Sequence, residues 1–365
     1  MARAALTSRI TLRTLACMMG VLGILTQGCS GSIDEDNVVQ IAALDGQYFL
    51  VETLPNGKLL LDKEEVADLN DGRINFYVLE NKEVFPLLLP DDAACVTGTH
   101  YSRAGLLPDG RLGLVKFCVD SLSEPLAERG DYSLVAFDLT QHVITPLMDG
   151  FLYPGLQQSF TWNQDMSRGV MAVGTLDSTL YWLSPNGPEP MQVVVGEGEA
   201  KWSLAEALKQ TTCTRRCDPS PPPVGIARTP SWLPNGTTIA FTASTTAMAL
   251  QGLSRVNAIY SVYLMDEIEQ KPRAVLNGLS QPRLLRWSPN GQQLLLDACI
   301  GLLRRCGLWT FNPQDGSLKQ ISSRERYQGA GWLSDSKIVV AYCVEGVDDS
   351  CNQTLFYEYD LDGGE

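Results

Sequence analysis

The sequence predicts an all-β fold, a six-bladed β-propeller built from four-stranded blades. The first observation behind this prediction is a short phrase that returns six times along the 365 residues. It reads S-W-L-P-N-G around Trp232 and R-W-S-P-N-G around Trp287. Self-similarity at a period of this length is typical of repeat architectures. The centres of the six turns fall near Asn56, Asp109, Asp165, Asn235, Asn290 and Asp335, at spacings of 53, 56, 70, 55 and 45 residues.

The second observation is the pattern of strands within each repeat. A compact apolar run follows each turn, then an aromatic-rich run, and usually a short third run. In the fourth repeat the first two runs are Thr238 to Ala243 and Ile259 to Leu264. Short runs rich in β-branched and aromatic residues, bounded by Pro, Asn, Asp and Gly, indicate strands joined by tight turns. With the strand that carries the phrase, each repeat contains four strands, here named A to D.

The repeated phrase resembles the WD40-like repeats of TolB-type propellers, which read W-S-P-D-G before an I-A-F-like and an I-Y-V-like strand. Trp287-Ser288-Pro289-Asn290-Gly291 matches the phrase, and Ile239-Ala240-Phe241 matches the first strand. The resemblance covers roughly residues 38 to 365 and is weakest in the third repeat, where Gln164-Asp165-Met166 replaces the turn. It implies a propeller that works through protein contacts in the bacterial cell envelope.

The last repeat lacks a fourth strand, because the chain ends soon after Tyr359. An unassigned apolar run, Val38 to Ala43, lies just before the first repeat. We therefore expect this N-terminal run to supply the missing outer strand and to close the ring. Closure removes a strand edge that otherwise invites aggregation.

Residues 1–28 have the pattern of a lipoprotein signal peptide. Arg3, Arg9 and Arg13 precede a short apolar core, Leu15 to Leu25, which is too short to span a bilayer comfortably. The stretch Leu25 to Cys29 resembles a bacterial lipobox, which implies cleavage before Cys29 and attachment of lipid to its sulfur. The alternative is an ordinary secretory signal followed by an incidental cysteine. Residues 29–37 read as an acidic tether, and Ser30 after the cysteine favours the outer membrane by analogy.

The net charge excludes one class of partner. Three of the 28 Lys and Arg residues lie in the signal, so the mature chain carries 25 of them against 42 Asp and Glu. Nucleic-acid binding requires a basic footprint, so no nucleic-acid partner is expected.

The cysteines predict disulfides on one face of the propeller. Beyond Cys17 and Cys29, eight cysteines remain in an exported chain, where disulfides are the default. Repeat position predicts the pairs Cys95–Cys118, Cys299–Cys306 and Cys343–Cys351, and leaves Cys213 and Cys217 as a local pair. The B–C loops and D–A linkers share one face, here called the loop face, while the Pro-Asn-Gly turns lie on the opposite turn face. Every predicted disulfide falls on the loop face.

The longest insertion, residues 196–230, joins the third and fourth repeats on the loop face. Ser203-Leu204-Ala205-Glu206 is a capping-box pattern for a short helix, and the stretch Asp218 to Pro223 is stiff and extended. It is either a docking arm or a surface loop. A redox or metal site at Cys213 and Cys217 is disfavoured by their three-residue spacing and by the lack of a nearby His.

Arginines concentrate in the linkers and B–C loops of the fourth and fifth repeats. Such a sector suits a carboxylate or phosphate partner, although surface arginines are commonly solvated or locally paired. The residues predicted to contact a partner are Arg215, Arg216, Arg255, Arg304, Arg305 and Arg324, with Arg283 nearby.

Motifs of known catalytic chemistry are missing from the sequence. The two histidines, His100 in a predicted linker and His142 on the turn face, exclude a His-rich metal centre, and no cofactor is expected. Neither a G-x-S-x-G elbow nor an H-E-x-x-H or P-loop motif occurs. We therefore expect a non-catalytic lipoprotein that binds or scaffolds a protein or an anionic envelope component through its loop face. The alternative is a propeller enzyme of lactonase or glycan-hydrolase type, which needs carboxylates at the channel. The inner strands carry few candidates, with Glu52, Gln47, Gln158 and Arg286 as their polar set.

Overall fold

The computed structural model describes residues 37–63, 75–95, 98–118, 132–151, 160–173, 179–184, 186–191, 226–244, 260–301, 305–323, 327–345 and 351–362. These residues form 23 β-strands in five antiparallel sheets. Within these ranges, no helix combines the length and the hydropathy that a membrane span requires.

Three sheets contain four consecutive strands each. The first consists of β2 (Phe49–Thr53), β3 (Leu59–Lys63), β4 (Asn75–Glu80) and β5 (Glu83–Pro86). The second consists of β6 (Thr99–Leu106), β7 (Leu112–Cys118), β8 (Tyr132–Phe137) and β9 (Ile144–Phe151). The third consists of β10 (Phe160–Trp162), β11 (Gly169–Val173), β12 (Thr179–Ser184) and β13 (Gly187–Pro190). In each sheet the strand that carries the repeated phrase comes first, as the strand pattern of the sequence predicts.

The fourth sheet contains seven strands and two copies of the phrase. Its strands are β14 (Ile226–Trp232), β15 (Thr238–Ser244), β16 (Tyr260–Asp266), β17 (Arg273–Trp287), β18 (Leu294–Ile300), β19 (Arg305–Phe311) and β20 (Leu318–Ser322). The 15-residue strand β17 pairs with β16 along its first half and with β18 along its second. The register shifts between Ser280 and Leu284, where Gln281 adopts a φ of 52° before Pro282. One strand thus ends one repeat and begins the next, and the number of blades stays a prediction.

The fifth sheet joins the two ends of the described chain. Its strands β21 (Tyr327–Trp332), β22 (Lys337–Glu345) and β23 (Cys351–Asp360) are completed on the outside by β1 (Val38–Asp45). The β1–β23 pairing runs antiparallel from Val38 opposite Tyr359 to Asp45 opposite Gln353. The Thr354 hydroxyl accepts the backbone N–H of Tyr48 at 2.9 Å and donates to the Gly46 carbonyl at 2.8 Å. The predicted pairing of the N-terminal run with the last repeat is therefore confirmed.

The phrase tryptophans lie in the apolar layers between successive sheets. Trp162 packs in a cluster with Phe117 and Tyr132 of the second sheet, and Trp232 packs with Trp182 of the third. Trp287 and Trp332 occupy the corresponding layers at the next two junctions. All four are at least nine-tenths buried. Their role as wedges between repeats, which the sequence predicts, is confirmed.

Two boundaries differ from the sequence prediction. His100 lies inside β6 rather than in a linker, and its buried ring packs edge-on against Phe117, the residue opposite it on β7. Residues 226–230, assigned to the insertion, belong to β14. Pro230 made this stretch read as a strand breaker, but a register shift between Arg228 and Ser231 accommodates the proline without a ladder hydrogen bond.

Candidate functional site

The six strands that carry the phrase lie next to one another around a common axis. Contacts link β6 to β2, β2 to β21, β21 to β17, β17 to β14 and β14 to β10. The cycle is completed where the Phe160 ring of β10 lies against Gly105 of β6, 3.6 Å from the position a Cβ would take there. These strands form the inner wall of the molecule, so residues at one level of this wall face a shared space.

The residue just before the first residue of the phrase holds a special place in this wall. We call it the axial position. A β-bulge precedes it in five of the six strands, and a bulge re-aims the side chains that follow. These register shifts lie at Leu50/Glu52, Ser102/Ala104, Arg228/Ser231, Ser280/Leu284 and Tyr327/Ala330. The axial residues are Glu52, Gly105, Thr161, Ser231, Arg286 and Gly331.

Axial side chains bind the next inner strand in a repeated manner. The Thr161 hydroxyl accepts the backbone N–H of Trp232 at 3.1 Å, and the Ser231 hydroxyl accepts that of Trp287 at 3.2 Å. Glu52 accepts the backbone N–H of Leu106 in the same relative position, at 3.5 Å. The axial position therefore connects neighbouring sheets rather than offering reactive groups.

The tryptophan indoles add a second set of links between the inner strands. Trp287 Nε1 donates to the Ser231 carbonyl at 3.2 Å, and Trp332 Nε1 donates to the Arg286 carbonyl at 3.3 Å. Since these acceptors are axial residues of the preceding inner strand, the phrase supplies both an apolar wedge and a hydrogen bond at each of these junctions.

Glu52 and Arg286 form an ion pair across the wall. The distance between Arg286 Nη1 and Glu52 Oε1 is 2.5 Å, and Arg286 Nη2 donates to the Val51 carbonyl at 2.6 Å. The arginine reaches from β17 to β2 past β21, where the axial residue is Gly331, and a Cβ on Gly331 would lie 3.7 Å from Arg286 Nη1. The Glu52 carboxylate is thus engaged by an arginine and two backbone N–H groups, those of Thr53 and Leu106. Such a carboxylate is poorly placed to act as a general base.

The turn face consists of tight turns whose acidic side chains serve the turns themselves. Asp165 accepts hydrogen bonds from the hydroxyl and the backbone N–H of Ser167, and these hold the pKa of Asp165 below its usual range. Asp138 accepts bonds from Gln141 and Thr140, with the same effect on its pKa. These carboxylates are committed to closing their turns.

The loop face carries the disulfides. The structure contains the bonds Cys95–Cys118, Cys299–Cys306 and Cys343–Cys351 that the sequence predicts. Two of them join the end of a B strand to the start of the C strand, and the first joins a D–A linker to the end of a B strand. Cys213, Cys217 and the lipid-bearing Cys29 lie outside the described residues.

Asp297 is the carboxylate with the largest resolved change in acidity on the described chain. It lies in β18 among Leu295, Leu296 and Ala298, at the layer between the fourth and fifth sheets. Burial raises the pKa of Asp297 from 3.8 to about 6, against the opposing effects of a hydrogen bond from Tyr327 and the positive charge of Arg283. An acid with this pKa exchanges its proton near neutral pH.

Tyr327 links Asp297 to the start of the last sheet. Its hydroxyl hydrogen-bonds the Asp297 carboxylate and lies 3.4 Å from the Gly307 carbonyl. Burial and the negative charge of Asp297 raise the pKa of Tyr327, so its hydroxyl stays protonated. Behind it, the Tyr342 hydroxyl donates to Ser322 at 2.8 Å and contacts the Tyr359 hydroxyl at 2.9 Å. Asp297 thus meets a polar network rather than a purely apolar layer.

Comparison with known proteins identifies the architecture. No family model and no curated protein sequence matches this chain. Among solved structures, an oligogalacturonate lyase in complex with manganese matches with a TM-score of 0.50 and 11% identity, over 92% of this chain and 96% of that one. The fold is a β-propeller.

Two further propellers match less closely. TolB from Acinetobacter baumannii matches with a TM-score of 0.47 and 11% identity over 88% of this chain. A puromycin hydrolase matches with a TM-score of 0.43 and 13% identity over 82% of it. This propeller spans only 64% of the TolB chain and 42% of the hydrolase chain. These likenesses concern the fold, since binding proteins and enzymes share it.

Few of the arginines predicted to contact a partner lie in the described part of the propeller. Arg305 is the first residue of β19, rather than a loop residue, and its side chain is exposed. Arg215, Arg216, Arg255, Arg304 and Arg324 lie outside the described residues, so the anion-binding surface stays a prediction. Among the residues that are described, no three His, Cys, Asp or Glu side chains group in a way that suits a metal ion.

Sequence reasoning missed Asp297 and its partner Tyr327. The available signal was a single charge in an otherwise apolar strand, Leu294-Leu295-Leu296-Asp297-Ala298-Cys299. Charged residues are rarely buried without a partner, so this pattern marks a candidate site. The partner itself is 30 residues away in another sheet, where periodicity gives no information.

Proposed function

We propose that this propeller is a non-catalytic envelope lipoprotein that holds a protein or another envelope component on its loop face. The observation that carries the proposal is the placement of the disulfides. All three described bonds clamp B–C loops or a D–A linker, so they stiffen one face of the propeller only. Loops held rigid on a stable scaffold are the usual location of binding surfaces.

The inner wall and the turn face support a binding role rather than catalysis. The axial side chains Glu52, Thr161, Ser231 and Arg286 are engaged in bonds between inner strands. The carboxylates of the turn face close their own turns. On the loop face, by contrast, Arg283 and Arg305 are exposed.

The proposed location combines the disulfides with the N-terminal sequence. Disulfides persist in exported proteins and are rare in the cytosol. The lipobox-like stretch ending at Cys29 supports lipid attachment, and Ser30 supports the outer membrane. Replacement of Cys29 by Ser should then abolish incorporation of radiolabelled palmitate and release the protein from the membrane fraction. A labelled Cys29→Ser variant would contradict the anchor.

The proposed partner is a protein or an anionic envelope component. Arg283 and Arg305 belong to the sector in which the sequence also places Arg215, Arg216, Arg255, Arg304 and Arg324. Arginine favours carboxylate and phosphate groups because its planar fork matches their geometry.

The test is chemical cross-linking in native envelopes followed by affinity capture of the lipidated protein. Arg283→Ala/Arg305→Ala should lose the specific partners, whereas Lys82→Ala/Lys271→Ala, an equal loss of charge near turns of the opposite face, should retain them. Loss in both variants would indicate a nonspecific effect of charge. Retention in both would exclude this sector while leaving other parts of the loop face.

A second candidate function is a propeller enzyme, and Asp297 is the observation that favours it. With a pKa of about 6 beside the Tyr327 hydroxyl, Asp297 has the properties of a general acid–base group. An activity screen against lactones and glycans, with Asp297→Asn as the negative control, tests this candidate. Turnover by the wild type that is absent from the variant would establish it.

A further inference from the structure

The cluster of Arg283, Tyr327 and Asp297 brings three different polar groups together on the loop-face side of the propeller. They belong to β17, β21 and β18, so the cluster spans the junction between the fourth and fifth sheets. Arg283 is exposed, while Tyr327 and Asp297 are only partly buried, so a ligand can reach the cluster from solvent. The disulfide between Cys299 and Cys306 holds the adjoining ends of β18 and β19 together.

We propose that these three side chains form a binding site for a carboxylate group of the loop-face partner, and that the site takes up a proton when the carboxylate binds. The inference rests on the function proposed above and assigns a chemical class to the partner's contact. Arg283 supplies the positive charge, the Tyr327 hydroxyl supplies a neutral donor, and protonated Asp297 supplies a second donor.

Charge determines why a carboxylate suits this site better than an amine. Arg283 already contributes a cation close enough to act on Asp297, and a ligand amine would meet its repulsion. A ligand carboxylate is attracted by Arg283 and repelled by Asp297 only while Asp297 is ionised. Two neighbouring carboxylates avoid this repulsion by sharing one proton, which raises the affinity of the pair for that proton.

The surroundings of Asp297 make this protonation accessible. The groups that act on it from the packed strands are Arg283 on β17 and Tyr327 on β21, and Tyr342 on β22 acts on Tyr327. Asp297 already holds a proton at a higher pH than an exposed aspartate, with a pKa of about 6. Tyr327 tolerates both states, because its hydroxyl can donate to ionised Asp297 or, with Asp297 protonated, to the Gly307 carbonyl.

The test is isothermal titration of the mature protein with glutarate, which carries the carboxylate of a Glu side chain, at several pH values and in buffers of different ionisation enthalpy. Glutaramide and 1,5-diaminopentane are the matched neutral and cationic probes. We expect glutarate alone to bind, with proton uptake, and its dissociation constant to rise about tenfold for each pH unit above 6.

Three variants separate the roles of the side chains. Arg283→Ala should weaken glutarate binding at every pH. Asp297→Asn, whose amide is a permanent donor, should retain binding but lose the proton uptake and the pH dependence. Tyr327→Phe should weaken binding while keeping the pH dependence. A site that merely stabilises the sheet junction would change unfolding in these variants without changing the proton count on binding.

Several outcomes would overturn the inference. These are failure of the wild type to bind glutarate, binding without proton uptake, or preferential binding of the diamine with proton release. The proposed function fails separately. If envelope partners are captured equally by the wild type and by the Arg283→Ala and Asp297→Asn variants, scaffolding stands and the carboxylate site is wrong. If glutarate binds as expected and no partner is captured, the site stands and the scaffolding role is wrong.

Discussion

Replacing Arg286 with Met tests whether the ion pair across the inner wall holds the propeller together. The substitution removes the 2.5 Å contact to Glu52 and the 2.6 Å bond to the Val51 carbonyl while keeping most of the aliphatic volume. A hydrogen bond that involves a charged group contributes about 1.5–3 kcal/mol when buried. The exposed fractions are 25% for the Arg286 side chain and 17% for that of Glu52, so solvent screens part of this energy. We expect a loss of about 2–3 kcal/mol in the free energy of unfolding.

The assay is urea unfolding followed by tryptophan fluorescence, applied to Arg286→Met, Glu52→Gln and the double variant. Because each single variant breaks the same contact, the double variant should lose less than the sum, with a coupling energy of about 1–2 kcal/mol. Lys337→Met is the matched control, since Lys337 pairs with Glu358 on the more exposed β22–β23 surface and should cost below about 1 kcal/mol. An Arg286→Met loss no larger than that control, or strict additivity in the double variant, would refute the reasoning.

Three more predictions concern the rest of the fold. Wild-type stability should fall as the pH rises from about 4 to about 6, by up to ~3 kcal/mol, because folded Asp297 holds its proton more tightly than the unfolded chain does; urea unfolding at pH 4 and pH 7 should show this loss in the wild type and a smaller one in Asp297→Asn, and parallel pH profiles would contradict it. Deleting residues 38–44 removes β1 from β23 and should lower the melting temperature sharply, so an unchanged value in calorimetry would exclude closure by this strand. Gly307→Ala should destabilise by more than about 2 kcal/mol, because the new Cβ would collide with the Ser322 carbonyl at a φ of 156°; Gly301→Ala, which meets nothing within 4 Å, isolates the cost of positive φ alone and should lose less.

The sequence was most informative where the fold is local. The phrase around Trp232 and Trp287 contains its own turn, wedge and strand start, so each copy could be read within a dozen residues. Its period then placed the strands, and the missing fourth strand of the last repeat predicted the pairing of β1 with β23. The disulfide pairs followed from the same repeat positions, because equivalent strand ends lie on the same face.

The candidate site was less predictable because it joins distant segments. The polar set of the inner strands included Glu52 and Arg286, but only folding brings residues 234 positions apart into contact. Asp297 and Tyr327 meet across two sheets, and no periodic pattern connects them. The error at Pro230 had a local cause, since a bulge that admits proline into a strand leaves little trace in composition.

The β1–β23 pairing also sets the order in which this propeller can mature. Val38 must wait for Tyr359, more than 300 residues later, so the ring cannot be completed while the chain is still emerging from a membrane or a ribosome. Such a nonlocal pairing incurs a large loop-closure entropy and folds late. Until then the outer edge of β23 remains exposed as a template for strands of other chains. The interval before closure is therefore the period in which a chaperone would protect this protein most.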